Sequence, residues 1–443
     1  MWAVLLAGYF AFSRDFSYLG IPPVFIGEAY LFFKVVENTR NWISRFVTDA
    51  MRLRLLPAAI AMHLSWGIIE VGRSWCMGRG LLMSVRTAAF NYYPLYALIG
   101  IVIGGSLTKP AFIRVLKLVV VVYAVRTLIA DITKVYPIST PGSPAIVPII
   151  MIAMWAQLRD WKWKYPLLLI CTYQMFFSSH HGRGPLLGLV AGILAIAVSS
   201  WSRFVRFCMG TAALMILLMF VGPLIPGPSG GGPPLDPVVQ IARIIASDHP
   251  DAAIRMIKWR ANGKLTGDYA DEMNNLIGAR GTAMWRQEIW KNAMHSLNTP
   301  LLRLMGNGEA TSLQDLTPDG QDIHTPHNIS IYAIYYTGWV GLGTFFFLMF
   351  ALWHESQQLV DPRLRVLASA VIWSSLLITL TGNFMEAPFG AIPFYLFIGV
   401  IIGLDRQYAA LAKQSRRLAR VRRVEQHAEE APSYSPSPRP MTA

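Results

Sequence analysis

The residues with the clearest capacity for chemistry lie in the stretch 324–328, HTPHN, immediately before an apolar segment that begins at Ile329. A histidine at such a junction can accept a proton from a hydroxyl group near pH 7, because the unperturbed imidazole pKa is about 6.5. His327 is therefore a candidate general base. Two other interpretations stay open: His327 is an interfacial helix cap, or His324 and His327 form an HxxH metal pair.

Three arginines are candidates for binding an anion. Arg183 stands between two glycines in a short turn, Arg280 precedes a glycine in a long polar segment, and Arg86 opens an apolar segment. Guanidinium binds phosphate oxygens in bidentate fashion, and neighbouring glycines leave backbone N–H groups accessible to the same anion. Together they predict a cationic pocket for a diphosphate. The alternative is that each arginine lies at the membrane boundary and reaches the lipid headgroups.

Carboxylates are sparse outside the long polar segment. Asp15 follows Arg14 in the first predicted external turn, where it is either a supporting acid for the reaction or half of a surface ion pair. The sequence contains no P-loop, GxSxG or Rossmann pattern in a fitting context, and its acidic residues do not form a D-x-D nucleotide-sugar signature.

The elements that must position these residues are membrane helices. Of the 443 residues, 54% are hydrophobic and only 14% are charged, whereas a soluble domain carries about a quarter charged residues. Apolar runs recur from residue 1 to residue 404, which excludes a soluble enzyme with a single anchor. The composition predicts an all-α, polytopic transmembrane bundle of about ten to twelve spans. The candidate spans are 1–12, 22–36, 53–71, 88–107, 111–131, 143–158, 165–179, 184–200, 203–225, 329–354, 364–383 and 388–404.

The net charge of +14 bears on orientation and partners. In a membrane protein an excess of Lys and Arg reports orientation and contact with anionic lipid, and this interpretation is preferred here to nucleic-acid binding. Three scattered cysteines cannot make a disulfide framework. The first apolar stretch lacks a basic leader, which argues against a cleavable signal peptide.

Basic residues in short loops predict a cytoplasmic N-terminus. The long insert 226–328 and the turn 178–184 then both lie outside. One loop disagrees, since Arg73, Arg79 and Arg86 would also face outward. Either the span count is wrong by a hairpin, or these arginines are held outside for a purpose.

Four regions follow from this pattern. They are N-terminal membrane helices (1–225), a periplasmic cap loop (226–328), C-terminal membrane helices (329–404) and a basic, disordered cytoplasmic tail (405–443). The cap begins with a Gly/Pro-rich hinge. Its segment 281–297 is predicted to be an amphipathic helix, with an apolar face at Met284, Trp285, Ile289, Ala293 and Leu297.

The order of the motifs resembles a known family. His327-Asn328, followed eleven residues after the histidine by Gly338 and then by Gly341-Leu342, is similar to the HN…G..GL signature of the O-antigen ligase and polysaccharide polymerase superfamily. Upstream, the chain resembles that family's R…W…P…G.G stretch through Arg280, Trp285, Trp290, Pro300-Leu301-Leu302 and Gly306-Asn307-Gly308. The turn at Arg183 stands where the family has Ser-Arg-Gly, although Gly182 replaces the serine here.

The resemblance implies a metal-independent, cofactor-free membrane glycosyltransferase of the GT-C type in the bacterial inner membrane, with its active site facing the periplasm. Such enzymes take a glycan from undecaprenyl diphosphate. The acceptor is lipid A-core in ligases, a second lipid-linked glycan in polymerases and Ser or Thr in protein O-glycosylases. The family's histidine corresponds to His327, and its arginines correspond to Arg183 and Arg280.

The chemistry expected from the residues agrees with this resemblance. His327 deprotonates the acceptor, Arg183 and Arg280, joined by Arg86, stabilise the departing diphosphate, and in-line attack inverts the anomeric configuration. Asn328, His324 and Asp15 are supporting candidates. The rival interpretations are a transporter or flippase for a lipid-linked glycan, and a non-catalytic component of a polysaccharide export complex.

Overall fold

The structure is a computed structural model, and it describes residues 1–21, 24–52, 54–133, 145–158, 160–177, 183–198, 289–313, 316, 326, 328–381 and 384–430. These residues are almost entirely helical, as the composition predicts. The exception is a two-stranded antiparallel pair, β1 (Gly20–Ile21) and β2 (Val24–Phe25), which connects the first two helices.

The described residues form the following helices. The first six are α1 (Trp2–Ser17), α2 (Ile26–Met51), α3 (Leu55–Cys76), α4 (Leu81–Thr87), α5 (Ala89–Tyr92) and α6 (Leu95–Gly104). Four more precede the insert: α7 (Lys109–Thr133), α8 (Ile146–Ala153), α9 (Lys164–Phe177) and α10 (Arg183–Ala197). The remainder are α11 (289–296), α12 (Pro300–Met305), α13 (Ile329–Gln357), α14 (Pro362–Thr381) and α15 (Pro388–Glu430).

Within the described ranges, four helices are long and apolar enough to cross a membrane, namely α3, α13, α14 and the part of α15 up to Ala419. A fifth candidate is the broken pair formed by α4 with Ala89–Gly104, whose two halves meet at 54°. Within the described residues, helices lie at predicted positions, for example 329–354 against the observed Ile329–Gln357. The predicted span 203–225 lies outside the described residues. The total of ten to twelve spans stays a prediction.

Small residues allow α6 and α15 to pack with their backbones in contact. A Cβ atom on Gly100 or Gly104 would overlap a carbonyl oxygen of α15, and one on Gly399 or Gly403 would overlap a carbonyl oxygen of α6. Each helix therefore carries a GxxxG pair aimed at the other, the arrangement by which membrane helices approach closely. This contact fixes α15 at the centre of the bundle, where its apolar half is almost fully buried.

The bundle has two ends, which are called the cap end and the tail end. At the cap end, α3 finishes, α13 begins and the segment 289–313 packs. At the tail end, α13 finishes, α14 begins and α15 leaves the bundle. Helices α3 and α13 run antiparallel, because Nδ1 of His63 lies 2.8 Å from the Thr344 hydroxyl while Trp66 Nε1 donates to the Thr337 carbonyl at 3.0 Å.

At the tail end, carboxylates connect neighbouring elements through hydrogen bonds to backbone N–H groups and through ion pairs. Both carboxylate oxygens of Asp405 accept backbone N–H groups, from Val360 and Asp361, at 2.8 Å. Two ion pairs join neighbouring elements, Lys109 to Asp361 at 2.7 Å and Arg406 to Glu355 at 2.9 Å.

The prediction of a disordered tail from residue 405 differs from the structure, in which α15 continues without interruption to Glu430. The segment 405–430 is rich in alanine, leucine, lysine and arginine, which are strong helix formers. Because it continues a helix that is already formed, it requires no separate nucleation.

Candidate functional site

Asn328 fixes the start of α13 at the cap end. Its Oδ1 accepts the backbone N–H groups of Ser330 at 2.9 Å and Ile331 at 3.2 Å, which makes it the N-cap of the helix. Its Nδ2 donates to the carbonyl oxygen of Leu380, at the end of α14, at 2.9 Å. Asn328 therefore ties two helices together, and both ends of its amide are engaged in doing so.

The candidate base His327 and its neighbour His324 lie outside the described residues, but the positions on either side of His327 are anchored. Asn328 is held as described above. On the other side, the carbonyl oxygen of Pro326 accepts a hydrogen bond from Trp290 Nε1 at 2.7 Å. Trp290 belongs to α11, so the segment before the histidine is attached to the end of the insert.

The glycine eleven residues after His327 breaks α13. Gly338 has φ 69° and ψ −172°, a region of backbone space that essentially only glycine adopts. The break leaves three carbonyl groups without helical partners, and each finds a donor elsewhere. Asn307 N donates to Tyr335 at 2.7 Å and Gly308 N to Tyr336 at 2.9 Å. The Thr337 carbonyl accepts the Trp66 indole N–H.

The loop 306–310 follows α12 and docks into this break. Three of its residues have positive φ: Gly306 at 74°, Gly308 at 87° and Ala310 at 60°. A Cβ atom on Gly306 would overlap the backbone of Tyr336, and one on Gly338 would overlap the backbone of Leu304. The G-N-G and HN…G motifs, which the sequence shows as separate, are therefore two sides of one backbone contact.

Two arginines at the end of α3 hold the same loop. Arg73 Nη2 donates to the carbonyl oxygens of Met305 at 2.8 Å and Gly306 at 3.0 Å. Arg79 Nη1 donates to the carbonyl oxygens of Asn307 at 2.7 Å and Glu309 at 2.9 Å. These two side chains therefore bind the loop 305–309, while the side of the membrane on which they lie stays a prediction.

Two carboxylates accompany these arginines. The side chain of Glu70 is fully buried and accepts a hydrogen bond from Arg73 Nε at 2.9 Å. Glu309, in the loop, is also fully buried. Burial raises the pKa of Glu309 to about 8; the Thr87 hydroxyl opposes this rise, Glu70 adds to it, and Arg73 and Arg79 oppose it. Glu309 is therefore mostly a neutral acid at pH 7.

Arg86 lies at the cap end, on the surface. It is exposed at the end of α4, and its guanidinium carbon lies 5.9 Å from the centre of the Phe25 ring. The adjacent Thr87 reaches inward, where its hydroxyl accepts the Ala310 N–H at 2.9 Å and its carbonyl oxygen accepts the Tyr332 hydroxyl at 2.7 Å. The structure thus places Arg86 at the same end of the bundle as Asn328. The next residue, Thr87, is hydrogen-bonded to the loop 306–310.

Asp15 lies in the last turn of α1, just before the β1–β2 pair. The guanidinium of the preceding Arg14 lies over the Tyr18 ring, 5.8 Å from its centre. The role of Asp15 as a supporting acid stays a prediction.

The remaining two arginines are placed to different extents. Arg183 is the first residue of α10. Gly188, in the second turn of that helix, packs against Ser374 and Ile378 of α14, close to the Leu380 carbonyl that Asn328 binds. The start of α10 and the start of α13 therefore both approach the end of α14. Arg280 lies outside the described residues.

The end of the insert matches its predicted pattern where it is described. Ile289, Ala293 and Leu297 are all buried, with 1% or less of their surface exposed, while Met294 on the opposite face is 41% exposed. This confirms the amphipathic face over α11. The earlier part of the predicted helix, and the hinge that opens the cap, lie outside the described residues.

Sequence reasoning missed Glu70, Glu309 and Thr87. A signal was present for Glu70, since a Glu and an Arg three residues apart in an otherwise apolar helix predict a buried pair. No local pattern marks Glu309 or Thr87, because their partners are more than 200 residues away in sequence. Within the described ranges, no three His, Cys, Asp or Glu side chains are grouped so as to hold a metal ion.

Comparison with known proteins adds one finding to this geometry. Residues 166–346 match the family model described as O-antigen ligase. The match begins in α9, includes the insert, Asn328 and Gly338, and ends within α13. No curated protein matches the chain. The apolar helices and this domain identify a multi-pass membrane protein. This stretch, which is less than half of the 443 residues, is the part of the chain that is similar to the O-antigen ligase family.

Proposed function

We propose that this protein is a metal-independent, inverting glycosyltransferase that moves a glycan from an undecaprenyl-diphosphate carrier to an acceptor hydroxyl during O-antigen or other surface polysaccharide assembly. The acceptor is lipid A-core if the enzyme is a ligase and a second lipid-linked glycan if it is a polymerase. The reaction takes place at the cap end, which faces the periplasm of the inner membrane. The observation that carries this proposal is the O-antigen ligase match, which contains His327, Arg183 and Arg280.

His327 is the proposed general base. Consecutive Cα atoms are about 3.8 Å apart, so the histidine is one residue from the Asn328 cap and one residue from the Trp290-bound Pro326. A general base requires a fixed position relative to the reacting atoms, and the hydrogen bonds of these two neighbours support the assignment of that role to this part of the chain. Because the amide of Asn328 is fully engaged, Asn328 positions the base and does not react.

The proposed step balances as a single displacement. The acceptor oxygen bonds to the anomeric carbon, its proton passes to the imidazole of His327, and the bond from that carbon to the diphosphate oxygen breaks. The leaving diphosphate gains negative charge, which Arg183 and Arg280 stabilise together with Arg86. Fixed cations aimed at developing charge contribute several kcal/mol in such reactions.

Arg73 and Arg79 are not assigned to the diphosphate. Each donates to two backbone carbonyls of the loop 305–309 at 2.7–3.0 Å. A diphosphate would have to compete with these contacts, and in Arg73 also with Glu70. Their proposed part is to hold the loop.

The test is transfer by purified protein from a lipid-diphosphate-linked oligosaccharide to lipid A-core or to a second lipid-linked oligosaccharide, separated by gel. We expect His327→Ala to lose at least about a hundredfold in rate, the usual size of a general-base effect. Arg183→Ala and Arg280→Ala are expected to lose similar amounts. His354→Ala and Arg406→Ala, which change the same residue types at the tail end, are the matched controls.

Each outcome decides between the proposals. Equal transfer with and without the His327 imidazole would remove the base assignment. If no acceptor is glycosylated while labelled donor still crosses the bilayer of liposomes, the protein is a transporter. If Arg183→Ala and Arg280→Ala leave glycan output intact in cells, it is a non-catalytic export component. A ligase defect leaves full-length chains unattached, whereas a polymerase defect leaves single repeat units.

A further inference from the structure

Four charged or acidic side chains form a cluster between α3 and the loop 306–310. Glu70 and Arg73 belong to α3, Arg79 follows it, and Glu309 belongs to the loop. This cluster is called the latch. It joins a part of the chain that lies outside the O-antigen ligase match to the part that carries the G-N-G and HN…G motifs.

In the latch, the two arginines have hydrogen-bond partners, whereas the side chain of Glu309 has none among the described residues. The guanidinium groups of Arg73 and Arg79 are directed at backbone carbonyl oxygens, and Arg73 also at Glu70. Among the described residues, neither carboxylate oxygen of Glu309 has a hydrogen-bond partner, although the side chain is completely buried. A buried carboxylate without partners is costly, whereas a neutral carboxylic acid is much less so.

The groups that face Glu309 come from every neighbouring element. Glu70 and Arg73 approach from α3 and Arg79 from the turn after it, while the Thr87 hydroxyl approaches from α4. The hydroxyl of Tyr332, on α13, also interacts electrostatically with Glu309. Burial has the largest effect on the pKa of Glu309 and raises it, which favours the neutral form, and the charge of Glu70 raises it further. The two arginines and Thr87 oppose it without reversing it, so that the pKa remains near 8.

We propose that Glu309 is a positioning residue whose proton keeps Arg73 and Arg79 on the loop carbonyls, and that loss of this proton loosens the loop and sets the alkaline limit of glycan transfer. The effect on the loop is inferred from the burial of Glu309 and the hydrogen bonds of Arg73 and Arg79. The statement about transfer rests on the proposed function.

The mechanism is competition for donors. A hydrogen bond from guanidinium to carboxylate is assisted by charge on both partners, whereas one from guanidinium to a backbone carbonyl is assisted by charge on the donor alone. When Glu309 is neutral, the carbonyls of Met305, Gly306 and Asn307 retain the arginine N–H groups. When Glu309 ionises, its oxygens draw those N–H groups away, and the carbonyls lose them. The backbone at Ala310 has a positive φ, and the loop then depends on its amide hydrogen bonds to α13 and Thr87.

The direct test follows the loop amides by hydrogen exchange in the purified full-length protein, from about pH 6.5 to about pH 9.5, corrected for base-catalysed exchange. The amides of Asn307, Gly308 and Ala310 are hydrogen-bonded to α13 or Thr87. We expect their protection to fall by about tenfold over this range in the wild type, as in local opening of a structural unit, and to stay constant in Glu309→Gln, which keeps the neutral shape.

Glu355→Gln is the matched control, because Glu355 pairs with Arg406 at the tail end. This variant should lose amide protection with pH as the wild type does. Equal loss of protection in Glu309→Gln and in the wild type would overturn the proposal. If Glu309→Gln does not fold, the wild type alone decides, since constant protection up to about pH 9.5 contradicts a latch that opens on ionisation.

The activity test separates this proposal from the proposed function. Wild-type transfer should fall above about pH 8 by about tenfold per pH unit, as expected when one group must stay protonated. Glu309→Gln should retain transfer through that range while keeping the acid limb that belongs to His327. An unchanged alkaline limb in Glu309→Gln refutes the latch and leaves the transferase intact. Absence of wild-type transfer at every pH refutes the transferase, and the exchange experiment still judges the loop.

Discussion

The two ends of the bundle differ in how their carboxylates are satisfied. At the tail end, Arg406 pairs with Glu355, and the side chain of Arg406 is half exposed. Asp405 is satisfied by two backbone N–H groups. At the cap end, Arg73 and Arg79 bind backbone carbonyls, while Glu309 is buried without a partner among the described residues.

This difference indicates which end carries the function. The carboxylates of Asp405, Asp361 and Glu355 at the tail end all have partners, and the described turns there contain no residue with positive φ. The cap end concentrates positive φ at Gly306, Gly308, Ala310 and Gly338, together with buried polar atoms that lack partners. Strain and unsatisfied polar groups persist where the surrounding structure requires them, and they cluster at functional sites.

The largest expected effect is that of Gly338→Ala. The new methyl group would overlap the Leu304 carbonyl, and alanine does not adopt the backbone conformation found there. Strain and overpacking together predict a loss of about 3 to 5 kcal/mol in the free energy of unfolding. Thermal unfolding in detergent measures it. Gly343→Ala is the matched control in the same helix, because nothing lies within 4 Å of its Cβ position; equal unfolding midpoints in the two variants would contradict the docked break.

The next prediction compares the two ends directly by removing one arginine from each. Arg73→Ala leaves the fully buried Glu70 without its partner and frees two loop carbonyls, for an expected loss of about 3 kcal/mol. Arg406→Ala removes a half-exposed pair and should cost about 1 kcal/mol or less. Double-mutant cycles with Glu70→Ala and Glu355→Ala measure the two coupling energies, and a larger coupling at the tail end would reverse the comparison.

The third prediction concerns the dependence of stability on pH. The pKa of Glu309 is raised from 4.5 to about 8 in the folded protein, so folding favours the protonated form. Its contribution to stability is complete below pH 4.5 and is lost as the pH rises towards 8. Glu309→Gln has no such loss, and its advantage over the wild type should grow across that interval to at most about 3 kcal/mol at pH 7. Unfolding midpoints measured at several pH values test this, and parallel curves would contradict it.

Much of the fold could be predicted from hydropathy, because the membrane requires long apolar helices with satisfied backbones. The predicted span 53–71 corresponds to Leu55–Cys76, and 388–404 begins with α15. The end of α15 could not be found in this way, since hydropathy ends where the apolar residues end. Helix propensity carries the helix on to Glu430.

The candidate site could be predicted only where its signals are local. Asn328 precedes an apolar helix, and Gly338 stands at a fixed distance beyond it, so both were visible in sequence. The roles of Arg73 and Arg79 depend on carbonyls more than 200 residues away, and only the fold brings them together. In the sequence, the loop of Arg73 and Arg79 was marked by its disagreement with the orientation that the other basic loops predict.

The smallest expected effect concerns Asn328 and separates stability from catalysis at the cap end. Asn328→Ala removes an N-cap and the hydrogen bond to Leu380, which together predict a loss of about 1 to 2 kcal/mol. Asn328→Asp keeps the capping oxygen but loses the amide donor to Leu380, so it should recover most of the stability. If Asn328 orients the neighbouring base, Asn328→Asp should still transfer glycan more slowly, with kcat reduced and KM little changed. Recovery of both stability and kcat in Asn328→Asp would show that the cap alone matters and that the tie to α14 does not position His327.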